Sequence, residues 1–212
     1  MMGVNLTSGG SLQWWVDSVL QGLTGVSGKL RYDAATAEAT DVPAGSDGVV
    51  FLPYLNGERT PHADPRARGS FVGLNLSHTR GHLTRSVMEG ITFGLRDSLE
   101  IIQSLDVPVR QIRASGGGSK NPFWRQMQAD VFAKKITSLE VEQGPAYGVA
   151  LLAAVGDGVF PNIQEACSAT IQVAGETPPD RAAVKAYNRL FPIYQDLYES
   201  LKKSMHALAD LQ

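Results

Sequence analysis

Apolar residues recur along this chain in two different rhythms. Residues 11–23 carry Leu12, Trp15, Val16, Val19, Leu20 and Leu23, spaced by three and four, which predicts an amphipathic helix. Ser8, Gly9, Gly10 and Ser11 supply candidate N-caps before it. Residues 79–105 repeat the pattern over a longer span, with Leu83, Val87, Ile91, Leu95, Leu99 and Ile102. Gly90 and Gly94 sit one turn apart there, as expected where another element approaches closely. A third helix is predicted over 180–211, where Val184, Tyr187, Leu190, Tyr194, Leu197, Leu201 and Met205 line up; Pro192 should kink or split it.

Shorter apolar runs read as strands: 48–52, 69–74, 109–114 and 136–141. Helices are predicted over 121–134, opened by Pro122, and over 146–155. Strand, helix, strand, helix in succession implies an α/β layer with a parallel sheet. Residues 24–48 read as a short helix at most, then a loop, and 53–68 as a long loop. A loop of that length inside a domain is expected to be functional or interfacial, hence mobile or in contact with another body.

Composition narrows the function classes. Hydrophobic residues make up 43% and charged residues 19% of 212, as in a soluble globular chain. A net charge of -2 argues against a nucleic-acid partner, which would demand clustered Lys and Arg. A single cysteine, Cys167, allows no internal disulfide and reads as a small helix residue. The sequence holds no apolar run of the ~18 residues a membrane helix needs. Met1 to Asn5 lack a basic and an apolar leader region, so a cytoplasmic location is expected.

The most informative local feature is Ser115-Gly116-Gly117-Gly118-Ser119-Lys120-Asn121-Pro122, joining a strand to a helix. Glycines let a backbone approach a ligand, and N–H groups at a helix start favour an anion. The loop is neither a Walker A loop nor a dinucleotide fingerprint. A tight strand-to-helix turn explains it equally well. Gly9-Gly10 with Gln13, and Gly144-Pro145-Ala146-Tyr147-Gly148, are weaker glycine sites. His78 and His82 lack the Glu of a zinc-protease helix and read as surface or capping residues. No G-x-S-x-G elbow marks a serine hydrolase. Trp14 and Trp15 read as packing residues.

Together these residues resemble a known family. Gly69-x-Phe71-x-Gly73-Leu74, seven residues, then His82-Leu83-x-x-Ser86-Val87-Met88-Glu89 matches a signature of the FGGY carbohydrate kinases. The stretch from Phe51 to Pro61 resembles their xylulose kinase branch, and the two later glycine segments follow in the family's order. The resemblance implies a ribonuclease-H-like α/β domain of the actin and hexokinase type, a mixed sheet flanked by helices. Residues 1–212 would be the C-terminal nucleotide-binding domain, with the sugar held by an N-terminal domain. It further implies ATP with Mg2+ as cofactors, ATP or ADP as ligand and a sugar substrate met through the N-terminal domain; the lack of a long apolar run argues against a membrane partner, and the 53–68 loop makes a homodimer a possible assembly. By position, Gly9, Gln13, Gly116, Gly117, Gly118 and Asn121 would face the nucleotide. The family's Asp-x-Gly phosphate turn and its general-base Asp have no counterpart here, so no catalytic or metal-ligating residue is assigned. Asp64 and Arg66 are expected to face the other half, and the chain alone is expected to be inactive. A stand-alone nucleotide-binding module, or a gluconate or glycerol kinase, remain the alternatives.

Overall fold

A computed structural model of the chain describes residues 3–22, 29–140 and 144–211. In chain order its elements are α1 (Ser8–Trp14), α2 (Lys29–Thr40), β1 (Val50–Leu52), β2 (Ser70–Val72), α3 (Arg80–Ser104) and β3 (Ile112–Ala114). Then come the single turn α4 (Gly117–Lys120), α5 (Pro122–Phe132), β4 (Ile136–Leu139), α6 (Gly144–Gly156), α7 (Ile163–Thr170), β5 (Val173–Thr177) and α8 (Arg181–Ala209). β1 and β2 form an antiparallel pair with Phe51 opposite Phe71. In the second sheet β4 is central, parallel to β3 and antiparallel to β5. The sheet is thus mixed, whereas the strand–helix alternation alone had implied a parallel one.

Helix α3 is the spine. Its apolar stripe buries Val87, Met88, Ile91 and Phe93, each such side chain contributing ~1.5–3 kcal/mol. Gly90 is required where α3 crosses β1: a Cβ there would stand 2.1 Å from the Phe51 carbonyl oxygen. Trp14 stacks on Phe51 at 11° between planes, and Trp15 donates from Nε1 to the Thr84 hydroxyl at 2.9 Å. Both tryptophans are packing residues, as the pattern implied. α8 closes the opposite side through Tyr187, Phe191 and Tyr194, which gather around Phe93.

Four expectations need correction. The first helix starts earlier, at Ser8, with Thr7 at its N-cap, and widens into a π-turn at Trp15–Val19; the expected caps Ser8 to Ser11 lie inside it, and Leu23 falls outside the described residues. Second, 29–40 is a full helix. Its buried face is Ala35, Thr36 and Ala39, too small to give the chain a visible apolar stripe. Third, α8 runs unbroken through Pro192, where the buried rings of Phe191 and Tyr194 on either side hold it against α3.

Fourth, the 53–68 loop is folded into the molecule. Tyr54, Glu58, Asp64 and Ala67 are all buried. Glu58 Oε1 accepts from the backbone N–H of Leu6 at 2.9 Å and of Arg59 at 2.7 Å. Asp64 faces α8, not a missing partner: its Oδ2 lies 2.9 Å from the Tyr198 hydroxyl and 2.7 Å from His206 Nε2. Burial alone would raise the Asp64 carboxyl; hydrogen bonds from His206, the Arg66 backbone and Tyr198 outweigh it and hold the pKa down at about 2. Arg66 pairs with Asp210 beyond the end of α8, at 3.6 Å. The loop's order comes from residues 52 to 142 positions away, which no local pattern encodes.

Candidate functional site

Between α2, α3 and the turn after β3 lies a cleft of about 1060 Å³. That is the upper end of the ~300–1,000 Å³ range of small-molecule sites. Ile91, Leu95, Leu99 and Ile102 of α3 give it an apolar floor. Ser8, Gly9, Leu12 and Gln13 of α1 line it from one end. Ala114, Ser115, Gly117, Gly118, Lys120 and Asn121 line the side where β3 turns into α5, and Tyr32, Asp33 and Thr36 line the α2 side.

The turn is built so that its backbone stays bare. Gly116 has φ of 85°, a conformation that side chains disfavour, and it sends the chain away from β3. A side chain added at Gly117 would meet nothing within 4 Å, so that residue borders open space. Gly118 is different: its position rests 3.2 Å from the Trp124 indole, so it is a packing glycine at the cleft wall. The expected glycine loop is itself wound into the short turn α4.

Asn121 caps α5, its Oδ1 accepting from the Trp124 backbone N–H at 3.2 Å. That leaves the amide nitrogen as the group available to the cleft. Trp124 is pinned in turn, donating from Nε1 to the Thr92 hydroxyl of α3 at 3.1 Å. On the facing side the Tyr32 hydroxyl donates to Asp17 at 3.1 Å. Burial, that hydrogen bond and the Asp17 charge raise the Tyr32 hydroxyl above its usual pKa, so it stays protonated.

The fold therefore brings Gly9, Gln13, Gly117, Gly118 and Asn121 to one cleft, although they are more than a hundred residues apart in sequence. Gly116 shapes the turn without lining the cleft. The third glycine segment does not take part: Gly144 to Gly148 open α6, away from the cleft lining. Tyr32, Asp33 and Thr36 were not foreseen, because the helix that carries them was not.

The histidines do other work. His82 completes a capping box with Thr79 at the start of α3, and His78 Nδ1 accepts from the Asn75 backbone N–H at 2.9 Å. Among the described residues Mg2+ finds no ligand set. Among the described residues Asp33 is the single carboxylate of the cleft lining, and no group of three His, Cys, Asp or Glu is placed to bind a metal.

Comparison with known proteins identifies the family. The model of the FGGY family of carbohydrate kinases, C-terminal domain, matches residues 1–156. A xylulose kinase of Bacillus subtilis (strain 168) is 40% identical over 98% of this chain and 40% of its own length. A gluconokinase of the same strain is 35% identical over 85% of this chain and 35% of its own. Among solved structures, the xylulose kinase from Rhodospirillum rubrum superposes with a TM-score of 0.83 at 31% identity, covering 96% of this chain and 40% of that one. The chain thus spans about 40% of the length of the xylulose kinases it matches. On the match to the family model and the near-complete coverage by these relatives, the chain belongs to the FGGY family of carbohydrate kinases.

Proposed function

We propose that this chain is the nucleotide-binding part of a xylulose kinase, which in complete form transfers the γ-phosphoryl group of ATP to D-xylulose, giving D-xylulose 5-phosphate. The observation that carries the reading is the bare backbone at Gly117 on the edge of a cleft that also gathers Gly9, Gln13 and Asn121. The apolar α3 floor suits the adenine face. Asn121 offers an amide donor to a ring nitrogen, and the exposed glycine backbone lets phosphate oxygens come close.

Phosphoryl transfer asks little covalent chemistry of a protein and much positioning. This chain's share is to hold the nucleotide. Among the described residues of the cleft none is assigned as base for a sugar hydroxyl, and metal enters with ATP as part of the substrate. The general base and the sugar contacts belong to the other part of the enzyme, so the 212 residues alone bind nucleotide without turnover. The xylulose kinase relatives, at 40% and 36% identity, favour xylulose over gluconate, whose kinase relative stands at 35%.

Three measurements test this. Calorimetric titration of the chain with ADP is expected to saturate, while a coupled assay with D-xylulose and ATP shows no product. In the full-length enzyme, D-xylulose is expected to outrun D-gluconate and glycerol. Turnover of xylulose by the chain alone, or a full-length preference for gluconate, contradicts the proposal.

A further inference from the structure

We propose that Asp33 recognises the ribose of the bound nucleotide, its carboxylate accepting hydrogen bonds from the vicinal 2′- and 3′-hydroxyls. This rests on the nucleotide reading above and adds to it a residue that selects ribose.

The two long walls of the cleft differ in hydrogen-bonding character. On the glycine-turn side, Arg113, Lys120 and the Asn121 amide nitrogen are donors. On the α2 side the hydroxyl protons are already committed. Tyr32 donates to Asp17 at 3.1 Å, and Thr36 donates to the Tyr32 carbonyl oxygen at 2.7 Å. Arg31, two positions before Asp33, is tied to Asp17 at 3.1 Å. Asp33 is exposed to the cleft and makes no hydrogen bond or ion pair with the described residues. It is the single carboxylate among the described lining residues.

An ionised carboxylate can only accept. A nucleoside diphosphate offers few donors in return: the ribose hydroxyls and the exocyclic amine of adenine. Its phosphates and ring nitrogens are acceptors and suit the donor wall. A carboxylate has two oxygens, which match two adjacent hydroxyls, and such charge-assisted bonds are the strong ones. Asn121 addresses the base, so the sugar between base and phosphates is the donor-bearing part left for the α2 wall.

The competing account is an Asp on a solvated helix face. Such a charge would only repel the diphosphate, and deleting it would tighten ADP binding. The two accounts therefore differ in sign. The test is calorimetric titration of wild type, Asp33→Ala and Asp33→Asn with ADP, 2′-deoxy-ADP and inosine diphosphate. Wild type is expected to prefer ADP over 2′-deoxy-ADP by about tenfold, the weight of one hydrogen bond to a charged group. Asp33→Ala is expected to lose both hydroxyl contacts on ADP and on inosine diphosphate, and only the remaining 3′-hydroxyl contact on 2′-deoxy-ADP, so that ADP weakens about tenfold more than 2′-deoxy-ADP does. Asp33→Asn, which keeps one acceptor oxygen, retains a reduced preference; it serves as the probe should the alanine variant fail to fold.

Unchanged or tighter ADP binding in the variants overturns the proposal. So does an equal loss on 2′-deoxy-ADP. A loss seen with ADP and not with inosine diphosphate also overturns it, since the contact would then be to the adenine amine. Wild type that binds no ADP at all removes the nucleotide reading and this inference with it; loss of the sugar preference alone removes only the inference.

Discussion

The two sides of the cleft are built to different standards of packing. The body formed by α3, α8, β1 and the 53–68 loop is dense and internally paired. Tyr54, Phe93, Tyr187 and Tyr194 are fully buried. Its buried Arg85–Glu89 pair is held in a network: Arg85 donates to Glu89 at 2.8 Å, to the Val42 carbonyl at 2.6 Å and to the Tyr187 hydroxyl at 2.9 Å. Glu89 also receives the Gly45 N–H at 2.9 Å and the Ser46 hydroxyl at 2.8 Å. The part from β3 to β5 is thin by comparison. Of the apolar helix α6 only Leu151 is buried, while Val149 and Leu152 stand 65% and 61% exposed.

The contrast teaches where rigidity is placed. Arg85 ties together elements that flank the cleft on both sides. It holds the chain just after α2 through the Val42 carbonyl, and its guanidinium lies 5.1 Å from the Phe123 ring at the start of α5. The dense body thus fixes the floor and the α2 wall, and the thinner part contributes the glycine turn.

Substitutions can break this comparison, beginning with the strongest. Glu89→Ala leaves Arg85 buried without its carboxylate and is expected to cost ~3–5 kcal/mol, read as a lower denaturation midpoint. Asp97→Asn is expected to act the other way. Burial raises the Asp97 carboxyl to about 6, despite the hydrogen bond from Gln195. Its charge therefore opposes folding above that pH, and stability falls as pH rises from about 4 to 6. The amide removes that charge, so a gain on the order of 2 kcal/mol is expected at pH 7.5, vanishing near pH 4.

Asn121→Ala removes a helix cap and is expected to cost ~1 kcal/mol of stability in thermal melts. It should also weaken ADP binding in titration, which joins the cap to the cleft. Leu152→Lys sits on the open face of α6 and is expected to shift stability by less than ~0.5 kcal/mol. A large loss there would mean that α6 is as tightly held as α3, and the contrast between the two parts would fail.

How much of this could be read beforehand depended on side-chain size and on distance along the chain. α3 was legible because large apolar residues recur at helical spacing. α2 was not, because the apolar residues it buries, Ala35 and Ala39, are small, and Asp33 was hidden with it. Asn121 as a cap and Pro122 at the helix start were legible, being local backbone chemistry. The pairing of Asp64 with Tyr198 and His206 was not, since its partners lie 134 and 142 residues away. Gly9, Gln13, Gly117 and Asn121 were picked by family resemblance; their convergence on one cleft is a matter of tertiary structure.

The account stands most directly on Gly117. Its backbone borders open space, so Gly117→Val should fold as wild type does while placing a side chain in the path of the nucleotide. Titration of both proteins with ADP is the measurement. Saturable binding by wild type, and loss of at least about tenfold in the folded variant, is the predicted result. Equal affinity in the two proteins would contradict it.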